Sequence, residues 1–401
     1  MLHSFTCQNF YSFSHPSTIK FNVNDKAPES DKYFTSPFGV RLSKAQTVIG
    51  PNASGKTNLL RVLPFVKWMI VDSFKADPDT SIPFKPYIFT SKKNQTTSLE
   101  VEFEIDKSVY IYELEFDSQK IYQEKLSIKN KTKQKVTTKY LFTREYSDKL
   151  GGYAILDKKF NLLKKSIETE PRTNSSLISL GYHLNHDYSK KIVEYWQKVH
   201  SNVIETGWSA NMAENIGRAS VFYLKNKEVK TSVEKILSKF DLDLIEFDIK
   251  IIKEDNSKLN IDIAGQHQIG KQKYELPFHY ESSGTKRLYS LLYSILQVLD
   301  NGGIAIIDEI DASLHPDIVI ALYEMFISPR SNPHNAQLLF STHSLQILGL
   351  LDKYEINLVE KDQKRSTSEV WRLDEMEGVR SDDNYYTKYM AGTYGAVPDI
   401  K

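Results

Sequence analysis

Eight consecutive residues, 50–57, restrict the fold more than any other part of this sequence. They read Gly-Pro-Asn-Ala-Ser-Gly-Lys-Thr and match the pattern G-x-x-x-x-G-K-[ST]. Glycines at the first and sixth positions let the backbone turn tightly enough to aim several N–H groups at one anion, and a helix that begins there adds the positive end of its dipole. The pattern therefore predicts a phosphate-binding loop between a buried strand and a helix.

The residues on either side of this loop fit that prediction. Residues 45–49 form a short β-prone run, and residues 58–63 carry apolar groups at helical spacing before Pro64, which should kink or end the helix. This context disfavours the alternative, an ordinary glycine-containing turn. Lys56 would reach the β and γ phosphates of a nucleoside triphosphate, and Thr57 would hold Mg²⁺ through its hydroxyl. The other nucleotide contacts predicted in this loop are Gly50, Asn52, Ala53, Ser54, Gly55 and Asn58.

Composition excludes several classes of protein. The 401 residues include 52 Lys and Arg against 51 Asp and Glu, so the net charge of +1 favours neither a general nucleic-acid binder nor an acidic tail. Cys7 is the only cysteine, which excludes an internal disulfide and a cysteine-based zinc site. No signal peptide and no apolar run of about 18 residues is present, so we expect a cytoplasmic protein without a membrane anchor.

The pattern of apolar residues divides the chain into three parts. Residues 1–139 contain the phosphate loop, and on either side of it the first forty residues and a meander over 98–128 read as strands typical of an antiparallel sheet. Residues 140–240 change to helical spacing and predict an inserted helical lobe, with helices near 188–200 and 229–240. Residues 241–401 return to strands and helices.

A second cluster of chemically active residues lies in the last part. Residues 303–307 are a continuous apolar run, typical of a strand buried on both faces, and the carboxylates Asp308 and Glu309 follow it. Asp308 would contact the metal, and Glu309 would polarise the attacking water. Ser283 and Gly284 precede a predicted helix, and His343 ends a short strand where it could sense the γ phosphate. Singly, His343 could be a capping residue and Glu309 a solvated strand end, but their occurrence in this order disfavours both alternatives.

In this order the motifs resemble the ABC-class ATPase heads of the structural-maintenance-of-chromosomes (SMC) and RecF group. The segments ESSGTKR, IDEIDASLHP, STHS and YMAGTYGAVPDI are similar to the branch found in bacterial phage defence, which includes the overcoming-lysogenisation-defect ATPases and the PARIS ATPase subunit AriA. The resemblance covers about residues 1–115 and 245–401. It implies an α/β fold, namely a P-loop ABC-type ATPase head with an antiparallel β subdomain and an inserted helical lobe.

The resemblance also assigns roles to single residues. Ser283 and Gly284 match the signature motif, although Thr285 replaces the usual second glycine. Asp308 and Glu309 match the carboxylate strand, and Asp311 and His343 match the D-loop and the switch histidine. Gln123 is the best candidate for the Q-loop residue, the alternative being an ordinary strand glutamine.

These roles imply an ATP- and Mg²⁺-dependent switch that works as a homodimer or a higher homo-oligomer. The signature of one subunit would close over the ATP held by another, head to tail, and hydrolysis would release the pair. About sixty residues follow His343 without an alternating acidic pattern, so we expect the effector, a nuclease or toxin, to be a separate protein. Asp382 and Asp383 are expected to cap a helix near 385–390 instead.

Two other functions stay open at this stage. The first is a RecF-like DNA-repair ATPase that clamps DNA, and the second, disfavoured by the size of the insertion, is a transporter-coupled ATPase. DNA is a candidate partner because a predicted hairpin that turns near Asn130 is rich in lysine. The alternative is a solvated edge that discourages strand pairing. The lysines concerned are Lys125, Lys129, Lys131, Lys133, Lys135 and Lys139.

Overall fold

The computed structural model describes residues 1–90, 95–131, 135–162, 171–204, 207–208, 212–240, 243–255, 258–362 and 364–398. In chain order the strands are β1 (Leu2–Gln8), β2 (Ser17–Lys20), β3 (Tyr33–Thr35), β4 (Arg41–Ser43), β5 (Ala45–Ile49), β6 (Thr97–Ile105), β7 (Ser108–Phe116), β8 (Ile121–Lys131), β9 (Val136–Ser147), β10 (Gly152–Asp157), β11 (Val199–Ser201), β12 (Val203–Ile204), β13 (Gly207–Trp208), β14 (Leu244–Asp255), β15 (Lys258–Ile269), β16 (Gln272–Pro277), β17 (Ile304–Ile307), β18 (Gln337–Ser341), β19 (Ile356–Lys361) and β20 (Ser368–Arg372). The helices are α1 (Lys56–Leu60), α2 (Val62–Val71), α3 (Leu177–His183), α4 (Asp187–Gln197), α5 (Met212–Lys225), α6 (Lys227–Phe240), α7 (Ser283–Asn301), α8 (Pro316–Ile327) and α9 (Tyr385–Met390).

A seven-stranded antiparallel sheet forms one layer, in the order β10-β9-β8-β7-β6-β1-β2. Strands β6, β7 and β8 pair with their neighbours in sequence, so the meander predicted from alternating apolar residues is confirmed. The alternation arises because successive side chains of a strand point to opposite faces. Leu99, Val101 and Phe103 on β6 are buried in the core as a result.

A six-stranded sheet carries the phosphate-binding loop, in the order β11-β17-β18-β5-β19-β20. Five of its strands run parallel, and β20 pairs antiparallel with β19. Both faces are buried: Ile304 and Ile306 of β17 face a core shared with α2, α3 and α4, while Ala305 and Ile307 face a second core shared with α5 to α8. The carboxyl ends of parallel strands lie at one edge of a sheet, so the residues after β5, β17 and β18 meet there.

The stretch 140–240 is only partly helical. It contains α3 to α6, but its first residues belong to β9 and β10 of the antiparallel sheet, and the predicted boundary at 140 lies inside β9. β11 then adds an edge strand to the parallel sheet next to β17. His200, predicted to end a helix, lies in this strand, because α4 ends at Gln197. Apolar residues at helical spacing mark α4 and α6 correctly but cannot show that the short runs between helices pair with distant strands.

The capping prediction for the helix near 385–390 was wrong by one residue. Asn384 caps α9, and its side chain accepts a hydrogen bond from the Thr387 backbone N–H. Asp383 instead pairs with Lys388 at 2.6 Å.

In the described ranges, no helix combines the length and the apolar character needed to cross a bilayer.

A buried carboxyl group lies at the opposite end of β5 from the phosphate loop. Glu355 is fully buried, where it accepts hydrogen bonds from the Tyr323 hydroxyl and the Asp352 backbone N–H, both at 2.9 Å. Burial raises the pKa of Glu355 from 4.5 to about 7, with Lys32 opposing the shift. The folded state therefore binds this proton more tightly than the unfolded chain does.

We expect Glu355 to make the protein less stable as the pH rises. Its contribution to stability is fully present below pH 4.5, the unfolded value, and is lost up to about pH 7. The loss amounts to about 3 kcal/mol, since one pKa unit corresponds to about 1.4 kcal/mol. Chemical unfolding of the wild type and of Glu355→Gln at pH 5 and pH 8 measures it, with the exposed Glu377→Gln as control. Equal pH dependence of the wild type and Glu355→Gln would contradict the assignment.

Candidate functional site

The loop between β5 and α1 has the backbone that its sequence predicts. Gly55 adopts a φ of 114° and Ala53 a φ of 62°, so the chain passes through the left-handed region twice before α1 begins at Lys56. At Gly50 a Cβ atom would lie 2.1 Å from the carbonyl oxygen of Val359, so only glycine fits there. Asn52 and Ala53 are exposed at the tip of the loop. Such a loop at a helix N-terminus presents N–H groups to an anion.

Two serines far apart in sequence support this loop from behind. The Ser368 hydroxyl donates to the Ser54 carbonyl at 2.5 Å and lies 2.8 Å from the Ser12 hydroxyl. Asn58 donates to the Ser12 hydroxyl at 3.0 Å. Sequence reasoning identified Asn58 but missed both serines, because no local pattern relates residue 12 or 368 to the loop.

Lys56 and Thr57 point to different parts of the site. The Lys56 amine is buried and donates to the carbonyl oxygens of Gly50 at 2.8 Å and Pro51 at 2.9 Å. Burial lowers the pKa of Lys56, and the carboxylates of Asp308, Glu309 and Asp311 oppose this shift. The Thr57 hydroxyl donates to the Asp308 carboxylate at 2.6 Å. The site thus combines a cation for phosphate charge with oxygen atoms for a metal.

Asp308 and Glu309 follow β17 at the edge where the loop lies. One carboxylate oxygen of Asp308 accepts from Thr57, and the other accepts from the Ser341 hydroxyl at 2.5 Å. The Ser341 hydroxyl also accepts the Glu309 backbone N–H at 2.8 Å. Glu309 is exposed and has a φ of 47°, a strained conformation that is concentrated at functional sites. Ser341 was not predicted as a site residue, although a polar residue at the end of an apolar strand is a usable signal.

The oxygen atoms of Thr57 and Asp308 fit a magnesium ion. Mg²⁺ prefers hard oxygen ligands and is usually held by one or two carboxylates together with substrate phosphates. Among the residues that the structure describes, no group of three or more His, Cys, Asp or Glu side chains could hold a metal by itself. Thr57 and Asp308 would hold such an ion together with the phosphates of a bound nucleotide.

The predicted D-loop and switch residues contact one another. Both carboxylate oxygens of Asp311 accept the His343 backbone N–H at 3.1 Å. The His343 side chain is exposed and lines a cavity of about 910 Å³ together with the outer side of the phosphate loop. Tyr389, Met390 and Val397 also line this cavity. The described part of the closing segment, up to residue 398, is thereby brought next to the loop.

The signature residues lie at the beginning of α7. The Ser282 side chain caps the helix by accepting the Thr285 backbone N–H at 3.0 Å. The next residue, Ser283, is exposed to solvent. Gly284 lies against the segment that follows Asp311, since a Cβ atom there would be 2.9 Å from the Ser313 carbonyl oxygen. Thr285, which replaces the usual second glycine, is buried. Arg287, one helical turn after Ser283, donates hydrogen bonds to the carbonyl oxygens of Asp308 at 3.4 Å and Glu309 at 3.3 Å.

The Q-loop suggestion for Gln123 is not supported. Gln123 lies on β8 of the antiparallel sheet, and its amide bonds to Glu145 at 3.2 Å. The amide side chain that contacts the carboxylate strand belongs to Asn202, which donates to the Asp308 carbonyl at 2.8 Å. Asn202 stands in no recognisable local motif, so the sequence alone could not identify it.

The lysine-rich hairpin is formed by β8 and β9, and much of its charge is already paired or contacted. Lys129 forms an ion pair with Glu102 at 2.7 Å, and Lys131 donates to the Phe38 carbonyl. Lys125 stands opposite Glu113 on β7. Lys133 lies outside the described residues. These contacts favour the interpretation of a solvated sheet edge over a nucleic-acid surface.

The solved structures similar to this chain include three SMC heads of low sequence identity. The SMC head bound to the C-winged helix domain of ScpA is 14% identical, with a TM-score of 0.46, covering 92% of this chain and 96% of that one. The Smc head domain with an extended coiled coil bound to the C-terminal domain of ScpA from Pyrococcus furiosus is 14% identical, with a TM-score of 0.40 and coverages of 93% and 96%. The Smc head domain with a coiled coil and joint from Pyrococcus yayanosii is 11% identical, with a TM-score of 0.40 and coverages of 98% and 99%.

Comparison by sequence gives a family. No curated protein matches the chain. A family model described as "AAA domain, putative AbiEii toxin, Type IV TA system" matches residues 47–349, which are 303 of the 401 residues. This match includes the phosphate loop, the signature, the carboxylate strand and the switch histidine.

The predicted fold class is confirmed. A parallel sheet carries the phosphate-binding loop, an antiparallel sheet shares one core with it, and the matched family is an AAA domain, so the chain has an α/β P-loop ATPase fold. The chain therefore belongs to the AAA-domain family that is described as a putative AbiEii toxin of a type IV TA system.

Proposed function

We propose that this chain is an ATP-hydrolysing switch that dimerises head to tail and controls a separate effector in defence against phage. The observation that carries the proposal is the convergence of Lys56, Thr57, Asp308 and Glu309 at one sheet edge, while Ser283 lies exposed at the start of a 19-residue helix. None of the hydrogen bonds among the described residues joins Ser283 to the phosphate loop of its own chain. Because Ser283 is exposed at the start of α7, we propose that a second chain presents its own Ser283 to that loop.

Each residue would have a distinct role with ATP bound. Lys56 would neutralise the β and γ phosphates, and the loop N–H groups would hold them in place. Thr57 and Asp308 would hold Mg²⁺, which supplies charge stabilisation at the phosphates. Glu309 would accept a proton from the attacking water, and His343 lies where a γ phosphate at the loop can be sensed.

The exposed N-terminus of α7 supports the dimer. A helix N-terminus carries partial positive charge and favours an anion such as a γ phosphate. Within a chain, Gly284 lies against the segment after Asp311, and Arg287 reaches the carbonyl oxygens of Asp308 and Glu309. Binding of the partner's ATP at Ser283 would therefore be linked, through Arg287 on the same helix, to the main chain of Asp308 and Glu309. Loss of the γ phosphate would weaken the pair, as in other nucleotide switches.

The role in defence rests on two observations of sequence. The family is named for a toxin of type IV toxin–antitoxin systems, and the motifs of this chain resemble those of phage-defence ATPases. We propose a nuclease or toxin as the separate effector and ATP as the nucleotide that sets its activity.

A mixed dimer tests the shared site. Lys56→Ala removes the phosphate-binding lysine of one chain, and Ser283→Arg blocks the signature of the other. If both chains build each site, the mixed dimer keeps one intact site of two and about half of the wild-type hydrolysis rate, whereas each variant alone is inactive. Co-expression with different affinity tags and purification through both isolates the mixed dimer for this measurement.

The control pairs the wild type with a chain that carries both substitutions. If sites are shared, this dimer has a lesion in each site and loses hydrolysis. If each chain is complete alone, it keeps half of the rate, and the first mixed dimer is inactive. The second pair of results would overturn the proposed dimer.

A further inference from the structure

A single amide side chain bonds both the N–H and the carbonyl oxygen of Asp308. The side chain of Asn202 donates from Nδ2 to the Asp308 carbonyl oxygen at 2.8 Å. Its Oδ1 atom accepts the Asp308 backbone N–H, also at 2.8 Å. An amide can make both bonds because it carries a donor and an acceptor side by side.

The position of Asp308 explains why its main chain needs these bonds. On one side the ladder between β17 and β18 ends at Ile307, and on the other side the ladder between β11 and β17 ends where Ser201 meets Ile306. Asp308 is therefore the first residue beyond both ladders. The Asn202 side chain takes the place of the next strand residue and accepts the Asp308 N–H in a largely buried environment. The Asp308 carbonyl oxygen accepts from Asn202 at 2.8 Å and also from Arg287 at 3.4 Å.

The carboxylate of Asp308 depends on the same main chain. Its two oxygens accept from Thr57 and Ser341, on opposite neighbouring elements, so a small rotation of the residue would lengthen one bond or the other. Substitution of a group that orients a metal ligand without touching the metal typically lowers metal affinity by about 10- to 100-fold.

We propose that Asn202 is a positioning residue that fixes the Asp308 carboxylate for Mg²⁺ and its nucleotide. The inference rests on the proposed function, since it assumes that Mg²⁺ and a nucleotide bind at Thr57 and Asp308. Asn202 directly follows the edge strand β11, and its side chain bonds the main chain of Asp308 and not the carboxylate, so its role differs from that of a ligand.

Asn332 provides a matched control. It also brackets main-chain groups, donating to the carbonyl oxygens of Phe326 at 2.7 Å and Ala336 at 2.9 Å and accepting the Ala336 N–H at 2.7 Å. It precedes β18, at the end of the sheet opposite to Ser341. Asn332→Ala should therefore affect stability without affecting the metal.

The test measures binding of a non-hydrolysable ATP analogue by calorimetry, with Mg²⁺ titrated and with EDTA, and the melting temperature of each variant. Asn202→Ala is expected to raise the Mg²⁺ concentration for half-maximal effect by about tenfold and to leave the Kd in EDTA within about twofold. Asn332→Ala is expected to lower the melting temperature and leave the Mg²⁺ dependence within about twofold.

The outcomes separate this inference from the proposed function. If the wild-type chain binds no ATP analogue, both the proposed function and this inference are contradicted. A wild type that binds with Mg²⁺, together with a folded Asn202→Ala of unchanged Mg²⁺ dependence, would overturn this inference alone. If Asn202→Ala melts below the assay temperature, Asn202→Ser keeps a hydroxyl that a water molecule can link to the Asp308 main chain, and a shift of about threefold is then expected. An unchanged Mg²⁺ dependence in that variant would overturn the inference equally.

Discussion

Lys56→Ala is expected to abolish measurable ATP binding, with a rise in Kd of at least about 100-fold. The amine is buried beneath the loop, where it bonds to the carbonyl oxygens of Gly50 and Pro51. Removing it leaves the phosphates of a bound nucleotide without their nearest cation, and water cannot replace that charge in a buried position. Calorimetry with ATP and Mg²⁺ measures the loss.

A second buried lysine controls for packing. Lys44 lies at the other end of β5, donates to the Ile327 carbonyl at 2.9 Å and has a pKa that burial also lowers. Lys44→Ala is expected to bind ATP like the wild type if it folds, which the melting temperature reports. In cells challenged with phage, Lys56→Ala is expected to lose protection. If Lys56→Ala binds ATP with wild-type affinity, this lysine is not part of the site. If the variant still protects cells fully, ATP binding is not needed for defence.

Glu309→Gln is expected to keep ATP binding and to slow hydrolysis by about 100-fold or more. Glutamine has nearly the same shape and preserves the backbone bond to Ser341, but it cannot accept the proton of the attacking water. ATP would then stay bound, and the dimer that it holds together would accumulate. Single-turnover hydrolysis and the mass of the complex with ATP are the two measurements.

The control for Glu309 is an exposed carboxylate on α8. Glu324→Gln changes the same functional group away from the site and is expected to hydrolyse ATP at the wild-type rate. A Glu309→Gln chain that turns over normally would exclude this carboxylate as the base. Slow hydrolysis without an accumulated dimer would support the base but contradict the link between the γ phosphate and dimerisation.

A local sequence pattern predicts those parts of the site whose chemistry depends on residues that are close together in the chain. The phosphate loop needs its glycines, lysine and threonine at adjacent positions, because one turn of backbone and one helix start form the cradle. Asp308 and Glu309 are recognisable because an apolar strand buried on both faces ends directly before them. In each case, the residues that cooperate lie within about eight positions of one another, so a single pattern contains them.

Other parts of the site could not be recognised in this way. Ser12 and Ser368 meet behind the loop, and Asn202 meets Asp308, although 356 and 106 residues separate these partners. Serine and asparagine occur at many turns and caps, so their type alone predicts no such contact. Gln123 was chosen as a Q-loop candidate on residue type, and the structure places it on the antiparallel sheet instead.

By itself, the sequence determined that the chain forms a P-loop fold with an antiparallel sheet, and it predicted which residues hold a nucleotide. Only the tertiary structure decided which strands of residues 140–240 join the two sheets, which side chains support the loop and Asp308, and that the closing segment lines the cavity beside them. The physical reason is that turn geometry and apolar periodicity act over a few neighbouring residues, whereas strand pairing and buried hydrogen bonds depend on which distant segments the hydrophobic core brings together.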